Sequence, residues 1–187
     1  WNYVEHFEEG KELRGAAAPQ DMPTHPTFFT KQPNAVVGHE DDVWHSDPIS
    51  PALDWEVELA VIVGTTGRNI SEGRAMSHVF GYTVGNDVSV RDIQRDWHGG
   101  QWFKGKSLDG TCPMGPWIVT GLDPDELSVT IRLNGREVYT YDVGDAIFSI
   151  RHFISRMSQY VTIQPGYISG ETLVASEDPD KLLVIST

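Results

Sequence analysis

Cysteine is almost missing from this chain of 187 residues. The one thiol, Cys112, rules out an internal disulfide framework and any zinc site built from cysteines. Long apolar runs are missing as well. The longest, Leu59 to Val63, is far short of the ~20 residues that a membrane helix needs. No series of charged, apolar and small residues marks a signal peptide, so a cytoplasmic protein without a membrane partner is expected. Basic residues are scarce: 14 Lys and Arg stand against 27 Asp and Glu, a net charge of −13. That balance argues against nucleic acid, whose phosphates demand clustered cations. None of the seven histidines forms an H-x-H or H-x-x-x-H pair, which removes support for zinc-protease chemistry. No G-x-S-x-G elbow anchors a serine hydrolase.

What is present belongs to a folded globular chain, with 39% apolar and 22% charged residues. The length predicts one domain over residues 1–187. The first fifty residues are rich in Pro and His and read as extended segments and loops laid on a core. From Asp54 to Gly64, Trp55, Val57, Leu59, Val61 and Val63 alternate with Glu56, Glu58, Ala60 and Ile62, the period of a strand. Ser71 is a candidate cap for a short helix toward His78, Phe80 to Val84 a second strand, and Ser89 the cap of a helix through Asp96. Leu127, Val129, Ile131 and Leu133 alternate up to Asn134-Gly135, the dipeptide of a type I′ hairpin turn. Asp145 is a candidate cap for an amphipathic helix carrying Ile147, Ile150, Phe153, Ile154, Met157 and Val161. Two weak strand-like runs close the chain. The pattern is mostly β with a few helices, an α+β domain on one core.

Several constellations could carry chemistry. Glu56 and Glu58, two apart on a strand, project from one face about 7 Å apart. Inside an apolar stretch an unpaired charge is costly, and a hard cation such as Mg²⁺, Mn²⁺ or Ca²⁺ would relieve it. A solvated face or an edge-strand guard would use the same letters. Asp87, after Gly85-Asn86 at a strand end, is the natural third carboxylate, and a turn aspartate is its plainer reading. Gly100 to Ser107 matches G-x-x-x-x-G-K-[ST], but a helical segment precedes it and Gly and Pro follow, the wrong setting for a phosphate loop. Lys106 could instead stabilise an enolate, while Lys104 reads as a surface amine. His6 and Glu9, three apart, would be neighbours on one helical turn, a general-base pair or a surface pair. Cys112 reads as a packed thiol, and Trp97, Trp102 and Trp117 as packing residues, with Trp102 a candidate for a pocket wall.

Together the segments resemble the fumarylacetoacetate hydrolase superfamily. The matching pieces are Asn2-Tyr3 with His6, Asp54-Trp55-Glu56-Val57-Glu58-Leu59, Gly81-Tyr82-Thr83, and Asn86-Asp87-Val88-Ser89-Val90-Arg91-Asp92-Ile93-Gln94. Trp102 with Gly105-Lys106-Ser107-Leu108-Asp109, Cys112-Pro113-Met114-Gly115-Pro116, Asn134-Gly135 and Ile163-Gln164-Pro165-Gly166 complete the set in family order.

The resemblance implies a mixed β-roll, a homodimer, and Mg²⁺ or Mn²⁺ held by Glu56, Glu58 and Asp87. It implies a small 2-oxo or 1,3-diketo acid as substrate, with Lys106 stabilising an enolate, His6 and Glu9 as a lid-borne catalytic pair, and Arg91 and Gln94 near the substrate. The expected reaction is hydrolytic C–C cleavage of an acylpyruvate or fumarylpyruvate. Isomerase or decarboxylase work on 2-hydroxyhepta-2,4-diene-1,7-dioate-type intermediates of aromatic catabolism is the alternative, and a metal-stabilised binding module the non-enzymatic one. After Gly166 the chain departs from the family's T-G-T-P-x-G-V-G loop: Tyr167 follows, and Ser169-Gly170-Glu171-Thr172 does not reproduce it. In the family pattern Trp1 falls inside the domain, so the expectation is a longer enzyme, incomplete here at its N-terminus and around that loop. The acidic surface offers an anionic substrate no attraction, which leaves most of that task to the cation.

Overall fold

The computed structural model describes residues 2–4, 21–44 and 48–172. Their strands are β1 (Val36–Val37), β2 (Leu53–Asp54), β3 (Val57–Val63), β4 (Val79–Asn86), β5 (Ser89–Val90), β6 (Cys112–Val119), β7 (Ser128–Leu133), β8 (Arg136–Asp142) and β9 (Ile168–Thr172). Within the described residues they are joined by the α-helices α1 (Glu72–Ala75), α2 (Arg91–Arg95), α3 (Trp102–Lys106) and α4 (Ile150–Tyr160). A five-stranded sheet runs β1-β6-β4-β3-β9, with β1 parallel to β6 and the other pairs antiparallel. The α+β expectation and the mixed sheet therefore hold.

β3 is the axis of this arrangement. Its period of two sends Val57, Leu59, Val61 and Val63 into the apolar core, with Tyr82 of β4, Ile131 of β7, Tyr141 of β8, Ile150 and Ile154 of α4, and Ile163. The alternate face carries Glu58, Ala60 and Ile62, and every residue of the strand is buried. The strand expected from Asp54 onward is broken in two. Leu53–Asp54 pairs with Ser89–Val90 in a separate ribbon, and Trp55 and Glu56 make the step to β3. That step lets Glu56 join the face of Glu58 while β2 serves another partner.

Local chemistry fixes the remaining elements. The β7–β8 hairpin turns on Asn134 and Gly135 at φ of 51° and 77°, the paired positive values of a type I′ turn. The amphipathic helix starts later than expected: Ser149, not Asp145, is the cap, its hydroxyl accepting the His152 amide, while Asp145 closes a short 3₁₀ turn. Ser89 is likewise no cap. It lies in β5, with its hydroxyl donating to the Asp87 carbonyl, and α2 begins after Val90. Ser71 does precede α1, without a side-chain cap bond. Trp117 departs from its packing role and is 70% exposed, because β6 leaves the core as it runs from buried Cys112 to exposed Pro116–Val119. Trp97 is also exposed, under the Lys104 ammonium.

Among the described residues no helix is long and apolar enough to cross a membrane. The core assignment is open to a direct test. Leu59→Ala should cost about 2–5 kcal/mol through lost transfer energy and a residual cavity, read as a lowered urea midpoint at unchanged slope. A loss below about 0.5 kcal/mol would place the core elsewhere.

Candidate active site

The termini of β3 and β4 set the geometry. The Asn86 side chain accepts the Glu56 amide at 3.0 Å, and the Asp87 amide donates to the Glu56 carbonyl at 2.7 Å. These two bonds hold Glu56 and Asp87 side by side just beyond the last β3–β4 pair, Val57 with Asn86. Glu58, one step into β3, completes the group: the ligand atoms of Glu56, Glu58 and Asp87 lie within 4.8 Å of one another. All three residues are buried, at 3%, 7% and 3% exposure. β9 closes over Glu58, and a Cβ at Gly170 would overlap its carboxylate, so only glycine leaves that space open.

Cationic side chains compensate the buried acids. The Lys106 ammonium, 1% exposed, donates to Glu56 Oε2 and Asp87 Oδ2 at 2.6 Å each. Lys31, on the extended segment before β1, donates to Asp87 Oδ1 at 2.7 Å and to the Val88 carbonyl at 3.2 Å. Arg91 bonds Asp54 through Nε at 2.7 Å, and its Nη1 bonds Glu56 Oε1 and, at 2.9 Å, Gln94 Oε1. Burial alone would push the Glu56 carboxyl up, but the Lys106 and Arg91 charges outweigh it and hold it at about 2. Burial would lower the Lys106 ammonium, and Glu56 and Asp87 reverse that and raise it, so it stays charged. Burial raises the Asp54 carboxyl against the pull of Arg91. Cys112 is pushed up to about 12, chiefly by burial, which makes it the packed neutral thiol expected.

The donor set fits a hard divalent cation. Three carboxylates, with neither imidazole nor thiolate among them, suit Mg²⁺, Mn²⁺ or Ca²⁺, and bonds of about 2.0–2.6 Å can bridge donors at this separation. The Lys106 ammonium standing on two of the three shows that the cluster demands positive charge. Among the described residues, Lys31, Arg91 and Lys106 pair with the carboxylates of Asp87, Asp54 and Glu56, and Arg95 stands on the same cavity wall. A divalent ion would add positive charge to that wall, the sign an anionic acid requires.

Of the residues singled out from sequence, Glu56, Glu58, Asp87, Lys106, Arg91 and Gln94 all line one cavity of about 960 Å³. His6 and Glu9 lie outside the described residues. Arg91, expected near the substrate, grips Glu56, and Gln94, expected there too, accepts a hydrogen bond from Arg91. Lys31 and Asp54 were not singled out as site residues: Lys31 has no telling spacing from the carboxylates, and Asp54, though two before Glu56, reads as the start of the strand. Gly100 to Ser107 is no phosphate loop: α3 runs through it, Gly105 packs so tightly that a Cβ would meet the Gln94 backbone, and Lys106 is bound to the acids.

The chain belongs to the fumarylacetoacetate hydrolase family: residues 1–170 match the model of the fumarylacetoacetate (FAA) hydrolase C-terminal domain. It is 42% identical over 171 residues to the oxaloacetate tautomerase YisK of Bacillus subtilis, covering 89% of this chain and 54% of that protein. The 5-carboxymethyl-2-hydroxymuconate delta-isomerase of Mycobacterium smegmatis superposes with a TM-score of 0.78 at 31% identity, over 91% of this chain and 63% of that one. The fumarylpyruvate hydrolase of Pseudomonas aeruginosa, solved with Mn²⁺ and pyruvate, gives 0.75 at 28% identity, over 89% and 72%. The chain spans about half the length of the curated relatives it matches.

Two outcomes follow from the charge pairing. Lys106→Met strands two buried carboxylates and should cost about 3–5 kcal/mol, with Mn²⁺ raising the Tm of the variant more than that of the wild type. An equal Mn²⁺ effect on both proteins would separate the lysine from the acid cluster. Because Glu56 is held near 2, below its ordinary 4.5, its stabilising contribution is complete above pH 4.5 and fades as pH falls toward 2. Glu56→Gln should flatten that part of the acid unfolding curve, and an unchanged curve would contradict the pairing.

Proposed function

We propose that this family member is a divalent-metal-dependent enzyme that forms and stabilises the enolate of a small 2-oxo acid. The observation that carries the proposal is the buried Glu56–Glu58–Asp87 cluster with the Lys106 ammonium between two of its members. Glu56, Glu58 and Asp87 would hold Mg²⁺ or Mn²⁺, which supplies Lewis-acid polarisation of the 2-oxo group when bound. Lys106, itself buried, offers N–H donors where negative charge develops on the enolate oxygen. Lys31 brings a second ammonium to the same wall, and Arg91 fixes the Glu56 carboxylate through a grip anchored on Asp54. Holding these groups in place before substrate arrives removes reorganisation from the barrier.

Keto–enol tautomerisation of an oxaloacetate-type acid is the simplest reaction this constellation supports, and the name of the Bacillus subtilis relative favours it. It needs one proton moved between carbon and oxygen and no water. Hydrolytic C–C cleavage of an acylpyruvate or fumarylpyruvate is the second reading, favoured by the likeness to the fumarylpyruvate hydrolase. Water then adds to the distal carbonyl, the bond to the methylene carbon breaks, and pyruvate leaves as its enolate to be protonated. His6 and Glu9 are the proposed pair for activating that water. Isomerisation of a diene diacid uses the same enolate and is kept as the alternative within this class.

The test is an assay of oxaloacetate enol–keto conversion, acetylpyruvate and fumarylpyruvate cleavage, and diene-dioate isomerisation, with Mn²⁺ or with EDTA. Wild type should act on at least one only with metal. Glu58→Gln should lose calorimetric Mn²⁺ binding and at least 10²-fold in rate while remaining folded. Full rates in EDTA, or undiminished Mn²⁺ binding by the variant, would refute the assignment.

A further inference from the structure

The cavity has two unlike ends. One is the charged cluster, where Lys31, Arg91 and Lys106 are all engaged with carboxylates. The other is an apolar wall formed by Phe28, Phe153, Met157, Tyr160 and Ile168. The extended segment over residues 27–32 joins them. The Phe29 ring lies 4.7 Å from the Lys106 ammonium and 5.6 Å from the Trp102 ring. The adjacent Phe28 sets its ring edge-on to Phe153 at 4.8 Å, with Tyr160 at 6.0 Å. One step along the backbone thus leads from the reacting end to an aromatic cluster.

Size and exposure describe what such a wall would take. About 960 Å³ lies at the top of the roughly 300–1,000 Å³ that houses drug-sized ligands. A four-carbon diacid would sit at the charged end and leave the aromatic end wet. Tyr160 and Ile168 are 69% and 43% exposed, apolar surface that gains from being covered. The wall is continuous with the charged end, so a single molecule can reach both.

We propose that the substrate is a 2-oxo acid carrying an apolar arm of about aryl size, seated against Phe28, Phe153, Met157 and Tyr160 while its oxo-acid end meets the charged cluster. This rests on the enolate reading above and narrows its substrate class. Acetylpyruvate and benzoylpyruvate test it, since they share the reacting centre and differ only in methyl against phenyl. With the Mn²⁺-loaded protein, enol–keto conversion or cleavage of benzoylpyruvate should have a kcat/KM about tenfold or more above that of acetylpyruvate, mainly through KM. Calorimetry should show tighter binding in the same order. Tyr160→Ser, at an exposed position that folding tolerates, and Phe28→Ser should each lower the benzoyl-to-acetyl ratio at least fivefold. Equal or reversed preference in the wild type, or an unchanged ratio in both folded variants, overturns the apolar-arm proposal alone. Failure to bind or turn over either compound, with oxaloacetate and fumarylpyruvate also inert, overturns the enolate reading and this one with it.

Discussion

Three carboxylates packed together out of water would not stay ionised by themselves, and the bonds from Lys106 to Glu56 and Asp87 are what make their company tolerable. The rest of the site follows from that need. Arg91 takes the outer oxygen of Glu56, Lys31 takes the outer oxygen of Asp87, and Asp54 in turn anchors Arg91. The site is therefore not the acidic hole that a chain of net charge −13 suggests. From sequence, most of the attraction for an anionic substrate falls to the expected cation. The structure adds three cationic side chains to that account, set in a cavity whose low polarity magnifies their field.

The fold brings these groups together from distant parts of the chain by backbone means. Glu56 and Asp87 meet because Asn86 and the Asp87 amide knit the ends of β3 and β4. Lys106 arrives on α3, which lies against α2 closely enough that Gly105 touches the Gln94 backbone. Arg91 and Gln94, three apart on α2, stand on one helical face and bond each other over the acids. A short helix pair and the segments just beyond two strand ends thus place four charged side chains, Glu56, Asp87, Arg91 and Lys106.

Where a residue's placement depends on periodicity, most of it can be read in the sequence, although the strand expected from Asp54 onward breaks before Val57. Glu56, Glu58 and the apolar alternation of β3 were legible, as was the Asn134-Gly135 hairpin, because strand and turn patterns are local. The order of the motif blocks pointed to Asp87 and Lys106. Helix starts were less legible: Asp145 and Ser149 are both good caps, and packing of Ile150 and Ile154 into the core decides between them. Lys31 and Asp54 were invisible as site residues because their roles are tertiary. Each reaches its partner across a long stretch of chain, 56 residues from Lys31 to Asp87 and 37 from Asp54 to Arg91. Trp117 misled because aromatic content alone does not say which part of a strand stays in the core.

The two buried faces of β3 have a bearing on how the chain finds its pairing partner. A strand slipped by one residue against β4 would turn its entire set of side chains over, driving Glu58 into the space of Leu59 among Tyr82, Ile131 and Ile154. The core cluster there is apolar among the described residues, so the misaligned pair would carry a buried carboxylate away from Lys106 and Arg91. A strand of valines and leucines alone could tolerate such an error. Glu58, one of the acids proposed to hold the metal, thus also penalises misalignment of β3, and neutralising it would weaken that penalty.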